Sequence, residues 1–123
     1  MLNETIVLRN YAHIGDAVWE VFVREYTIFK TSNSKILHNI TTQRVNASFQ
    51  REMIEFIAPN LSEDELDLAR RARNLSIPVA RKKIQHEYRQ ATAFEVLIGY
   101  WFLHDKKRLD DVYEIIRKTE YFS

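Results

Sequence analysis

Only two glycines and two prolines interrupt the 123 residues of this chain. Tight turns between strands draw on glycine, and sharp breaks draw on both residue types. A chain this poor in them has few ways to build hairpins, which favours long helices joined by polar breaks and hence an all-α fold. Hydrophobic residues make up 46% and charged residues 28%, as in a globular domain with a core of its own. The length fits one domain, residues 1–123. The absence of cysteine excludes disulfides and thiolate metal sites and suits a reducing, cytoplasmic setting. No apolar run approaches the ~20 residues that span a bilayer, and the N-terminus lacks a basic-then-apolar signal pattern. No membrane is expected.

The helical period is legible along most of the chain. Residues 3–10 are expected to form a short helical lead-in with Asn3 as its cap. Ile14, Val18, Val21, Phe22, Ile28 and Phe29 then mark a helix from Tyr11 to about Phe29. Thr31-Ser32-Asn33-Ser34 is a polar break, followed by a helix with Ile36, Leu37 and Ile40 and another from about Val45 to Ile57, ended by Ala58-Pro59. Ser62 and Glu65 form a capping-box pattern. Residues 75–85 read as a loop around Pro78, and a long helix follows from about His86 to Leu103. Its second half is apolar nearly all round, so it is expected to be the central buried helix. Asp105 caps a last helix that turns Leu109, Val112, Ile115 and Ile116 inward.

Two acids stand out against this apolar patterning. Asp16 lies within Ala12-His13-Ile14-Gly15-Asp16-Ala17-Val18-Trp19-Glu20, and Glu95 within Thr92-Ala93-Phe94-Glu95-Val96-Leu97-Ile98-Gly99. A lone acid among core residues is costly to bury without a cation or hydrogen-bond partner. Two of them on two apolar helices suggest that they meet and share a metal. The alternative is a pair of buried carboxylates bonded to backbone or to Arg89. The net charge is only +1, but residues 66–89 carry Arg70, Arg71, Arg73, Arg81, Lys82, Lys83 and Arg89 against only Asp67 and Glu87. Such a stretch steers polyanions, or else is a solvated face.

Together these segments resemble the Mini-III ribonucleases, the compact branch of the ribonuclease III family. The run from Ala12 to Glu20 is similar to the family's first motif. Leu37-His38, Val45-Asn46-Ala47 and Gln50 resemble its second helical segment. Arg71-Ala72-Arg73-Asn74 resembles its Arg-Gly-Arg-Asn motif with alanine for glycine. The run from Tyr88 to Tyr100 resembles its last motif. Order and spacing hold from residue 8 to about 110. The resemblance implies an all-α, ribonuclease III endonuclease-like helical bundle that forms a homodimer. It also implies magnesium-dependent cleavage of double-stranded RNA that leaves 5′-phosphate and 3′-hydroxyl ends. The large-subunit ribosomal RNA precursor is the implied substrate, and a separate RNA-binding domain is not expected. Full-length ribonuclease III has acids where this chain has Ala12 and Thr92, losses shared within Mini-III. His13 replaces a tyrosine usual in that branch.

Carried onto this sequence, the resemblance makes Asp16 and Glu95 the catalytic metal ligands. Magnesium prefers oxygen donors and keeps several waters, so two carboxylates suffice beside a phosphate. Glu20, one turn after Asp16, is either a supporting residue for the metal or half of a helix-face salt bridge. Arg71, Arg73, Asn74, Arg81, Lys82 and Lys83 bracket one loop and suit phosphates and 2′-hydroxyls of a duplex. His38 serves RNA or structure. Trp19 and Phe22 are expected in the core or at the dimer interface, on a helix face that contributes to the dimer. Two rival readings remain: a catalytically inactive, ribosome-associated or RNA-binding relative, and an all-α nucleotide pyrophosphatase.

Overall fold

The computed structural model describes residues 5–76 and 85–123, and among them every regular element is helical. The first helix, α1 (Thr5–Thr27), is continuous. The expected lead-in and first helix are therefore one element, because no glycine or proline interrupts positions 8–14. Leu8 and Tyr11 join Trp19, Phe22 and Val23 on its buried stripe. Asn3 lies outside the described residues.

Asn33 starts α2 (Ser34–Val45), its side-chain oxygen accepting the N–H groups of Lys35 and Ile36. The third helix begins at Ala47 rather than Val45, and one residue explains the shift. Asn46 sits in extended backbone (φ −78°, ψ 165°) and ends α2 while opening α3 (Ala47–Ile57). Its Nδ2 donates to the Thr42 carbonyl and its Oδ1 accepts from the Phe49 N–H. One amide thus satisfies orphan groups of two helix ends.

A 3-10 turn (Ala58–Asn60) leads to α4 (Glu63–Arg73), which opens with the full Ser62/Glu65 capping box. The Glu65 carboxylate also receives Trp101 Nε1 at 3.0 Å and both Nε and a terminal nitrogen of Arg108 at 2.8 Å. Burial alone would raise this carboxyl, but the bonds from Arg108, Ser62 and Trp101 hold it below the usual carboxylate range. Then come α5 (Gln85–His104), α6 (Lys106–Arg117), with Asp105 as its N-cap, and a closing 3-10 turn (Glu120–Phe122).

Helix α5 is the centre of the bundle. It packs against α1, α3, α4 and α6, and Phe94, Val96, Leu97, Ile98 and Trp101 are buried along it. An aromatic cluster fills the space beside it, with Trp19 touching Phe22, Phe49, Phe94, Tyr113 and Phe122. Trp19 is fully buried and donates its indole N–H to the Arg44 carbonyl at 2.9 Å. Of the two expected places for Trp19, core or dimer interface, the structure shows the core: the aromatic cluster encloses it.

Where α1 crosses α5, the backbones nearly touch. A Cβ on Gly15 would stand 1.8 Å from the Glu95 carbonyl oxygen, and one on Gly99 would stand 2.1 Å from the Tyr11 carbonyl oxygen. Both glycines of the sequence are spent on this single crossing. The lack of a side chain, not conformational freedom, is what each supplies.

Candidate functional site

The crossing sets two helix faces side by side, and it brings Asp16 and Glu95 together across an interval of 79 residues in sequence. They meet in a cleft of about 310 Å³ between α1, the end of α4 and the first half of α5. The acids are unlike. Asp16 is exposed, so it is not the buried acid its apolar neighbours suggested, whereas Glu95 is half-buried. Burial, then the hydrogen bond to Asp16 and its negative charge, push the Glu95 carboxyl up to about 8, against a smaller opposing bond from Gln50. A proton is therefore held between the two carboxyl groups near neutral pH, with Glu95 donating to Asp16. The amide of Gln50 donates to Glu95 Oε2 at 3.4 Å.

Ala12 and Thr92 line the same cleft. Neither brings a further carboxylate to the pair. Thr92 turns its hydroxyl back to the Tyr88 carbonyl at 3.0 Å. Among the described residues no group of three or more histidine, cysteine, aspartate or glutamate side chains converges on one point. The donor set is two hard oxygens. It fits an ion that fills the rest of its shell with water and phosphate oxygen.

Of the other residues singled out from sequence, Arg73 lines the cleft and reaches Gln90 Oε1 at 3.4 Å. Arg71 and Arg70 both pair with Asp67, at 3.2 and 2.7 Å. Asn74 is exposed and caps α4, its N–H bonding the Arg70 and Arg71 carbonyls. Arg89 does not meet either acid in these contacts; its guanidinium closes α4 by donating to the carbonyls of Arg73 and Leu75. Glu20 pairs with Arg24 at 2.7 Å and is not part of the cleft lining. His38 is exposed, 3.5 Å from Thr42 Oγ1, beside a separate hollow between α1 and α2. Arg81, Lys82 and Lys83 lie outside the described residues.

Two residues here, one in the cleft wall and one bonded to Glu95, were not singled out as site residues from sequence. Arg9 forms part of the wall and donates to the Ser76 carbonyl and hydroxyl at 2.9 and 3.1 Å; an isolated arginine early in α1 carries no pattern to mark it. Gln50 does carry one. It falls on the buried stripe of α3 with Ile54 and Ile57, and a polar side chain at a core register needs a partner.

Comparison with known proteins agrees with this geometry. The family model described as Ribonuclease III domain matches residues 9–106. The Mini-ribonuclease 3 of Gloeobacter violaceus is 40% identical over 105 residues, covering 85% of this chain and 78% of that protein. The Mini-ribonuclease 3 of Clostridium tetani is 37% identical over 109 residues, covering 85% and 72%. A crystal structure of a protein from Fusobacterium nucleatum superposes with a TM-score of 0.78 at 31% identity, covering 89% of this chain and 90% of that one. With a matching domain model, relatives up to 40% identical over most of the chain and a shared fold, the chain belongs to the ribonuclease III family, in its Mini-ribonuclease 3 branch.

Proposed function

We propose that this endoribonuclease cuts double-stranded RNA with magnesium held by Asp16 and Glu95, in the maturation of large-subunit ribosomal RNA precursor in the cytoplasm. The observation that carries the reading is the acid pair itself: two carboxyl groups from distant segments, close enough to share a proton, at the floor of an open cleft. Ribonuclease III proteins are generally divalent-metal dependent. A bound magnesium ion supplies Lewis acidity toward water and the phosphate. The protein's own part is to hold both carboxylates in place by the Gly15–Gly99 crossing and to place Arg73 at the cleft wall. Arg71, Asn74, Arg81, Lys82, Lys83 and His38 are proposed to extend the duplex-binding surface around it.

A homodimer completes this reading, because a duplex has two strands and each chain offers one acid pair. An apolar groove of about 450 Å³ supports it, lined among others by Ile14, Val18, Val21, Phe22, Leu109 and Tyr113. Val21 is 57% exposed. Pairing of two such faces about a two-fold axis would cover it.

The test sets cleavage and binding of a long RNA duplex side by side, with end analysis, for the wild type, Asp16→Asn and Glu95→Gln. Both variants keep side-chain volume and remove charge. They should stay folded by circular dichroism, bind duplex RNA and lose at least a hundredfold in cleavage. A folded Glu95→Gln protein cutting at the wild-type rate in magnesium would overturn the site.

A further inference from the structure

Gln50 is the one side chain of α3 that touches the acid pair in the described contacts. It is 2% exposed, and the hydrogen bond given to its side chain runs to Glu95 Oε2. Its backbone is fixed as firmly as its side chain is enclosed. It occupies the first turn of α3, where its N–H donates to the Asn46 carbonyl at 3.0 Å, and the Asn46 side chain caps the same turn through the Phe49 N–H at 2.8 Å. The neighbours on its stripe, Met53, Ile54 and Ile57, are all buried. A side chain so held has little freedom to turn elsewhere.

We infer that Gln50 is a positioning residue for the cleft: its buried amide fixes the Glu95 carboxylate in the orientation from which it and Asp16 together grip a divalent cation. The inference rests on the reading of the acid pair as a metal site given above. Its chemistry follows from what an amide can and cannot do. The Nε2 group donates but carries no charge, so it engages one oxygen of Glu95 and leaves the full negative charge for a cation. A lysine or arginine at the same place would orient the carboxylate equally well and compete with the metal for it. A carboxylate has lone pairs enough for both an amide and a cation. The 3.4 Å separation is long for an N–H···O bond. Partners that hold a liganding side chain commonly change metal affinity or activity by 10- to 100-fold when removed.

The test is Gln50→Met, which keeps length and burial and removes the donor. Wild type, Glu95→Gln and Gln50→Met are compared by thermal unfolding, by calorimetric titration with magnesium chloride in the absence of RNA, and by cleavage kinetics over a range of magnesium concentrations. The Gln50→Met protein should unfold within a few degrees of wild type. It should bind magnesium about tenfold more weakly, show kcat about tenfold lower at limiting magnesium with recovery as magnesium is raised, and keep KM for the duplex unchanged. A folded Gln50→Met protein with wild-type magnesium binding and kcat overturns the inference while leaving the acid pair intact as the site. Should Gln50→Met fail to fold, Gln50→Asn decides: its shorter amide falls away from Glu95 and should show the same losses, and wild-type values there overturn the inference. A wild-type protein that takes up no magnesium overturns both this inference and the function it rests on.

Discussion

Replacing Gly15 by alanine adds a single methyl group at the tightest point of the molecule. That methyl would lie 1.8 Å from the carbonyl oxygen of Glu95, where ordinary contact begins at 3.4 Å. The obstructing atom is backbone in the middle of α5, so no rotamer change relieves it, and α1 and α5 would have to part by about 1.6 Å. Overpacking of this kind costs roughly 1–3 kcal/mol, and a rigid partner puts it at the upper end. Alanine's better helix propensity returns up to about 1 kcal/mol. The net destabilisation is about 2 kcal/mol, or a fall in Tm of roughly 8 °C at this chain length. The same displacement moves Asp16 away from Glu95, and misplacement by about 1 Å costs on the order of a hundredfold in rate. The assay pairs circular-dichroism melts with duplex cleavage at 20 °C, where both proteins are folded. A Gly15→Ala protein with wild-type Tm and wild-type cleavage would refute the argument that the helix crossing sets the site.

Other outcomes follow from the same geometry. Glu95 titrates at 4.5 in the unfolded chain and at about 8 in the fold, so between those values the native state holds the extra proton. Metal-free stability should fall by a few kcal/mol as pH rises through that window and level off above it; urea unfolding in EDTA at pH 5 and pH 8 should show the fall in wild type and a much smaller one in Glu95→Gln. Glu65→Ala removes the capping-box acceptor and leaves Arg108 and Trp101 without their shared partner, which should cost about 2–4 kcal/mol in urea unfolding. Val21→Glu places a charge in the exposed apolar groove; sedimentation at micromolar concentration should show dimeric wild type and a monomeric variant, and a monomeric wild type with full cleavage would remove the dimer from the proposal.

What could be read ahead of the structure was mostly local. Ser62 and Asp105 announce their helices because a cap acts within three residues of itself. The acids showed themselves by violating an apolar pattern, and their meeting was inferred from two such violations. Reading failed where one residue serves two elements or where partners are distant. Asn46 caps two helix ends at once, and periodicity set the start of the second helix at Val45, two residues early. Trp19 sits on a helix whose apolar positions serve both core and groove, and spacing alone does not separate the two. The different environments of Asp16 and Glu95 depend on how deeply each helix lies, which no local pattern records.

The distance in sequence between the crossing helices also governs when this enzyme comes into being. During synthesis, α1 emerges long before Phe94, Tyr113 and Phe122, the residues that will enclose Trp19. Until α5 follows, Gly15 has nothing to cross and Asp16 has no second acid. Long-range closure of this sort comes late in folding. A half-made chain beside the structured RNA of its own ribosome therefore carries cations and one carboxylate but no assembled site. The acid pair thus exists only once α5, the later of the two crossing helices, has been made and has packed on α1.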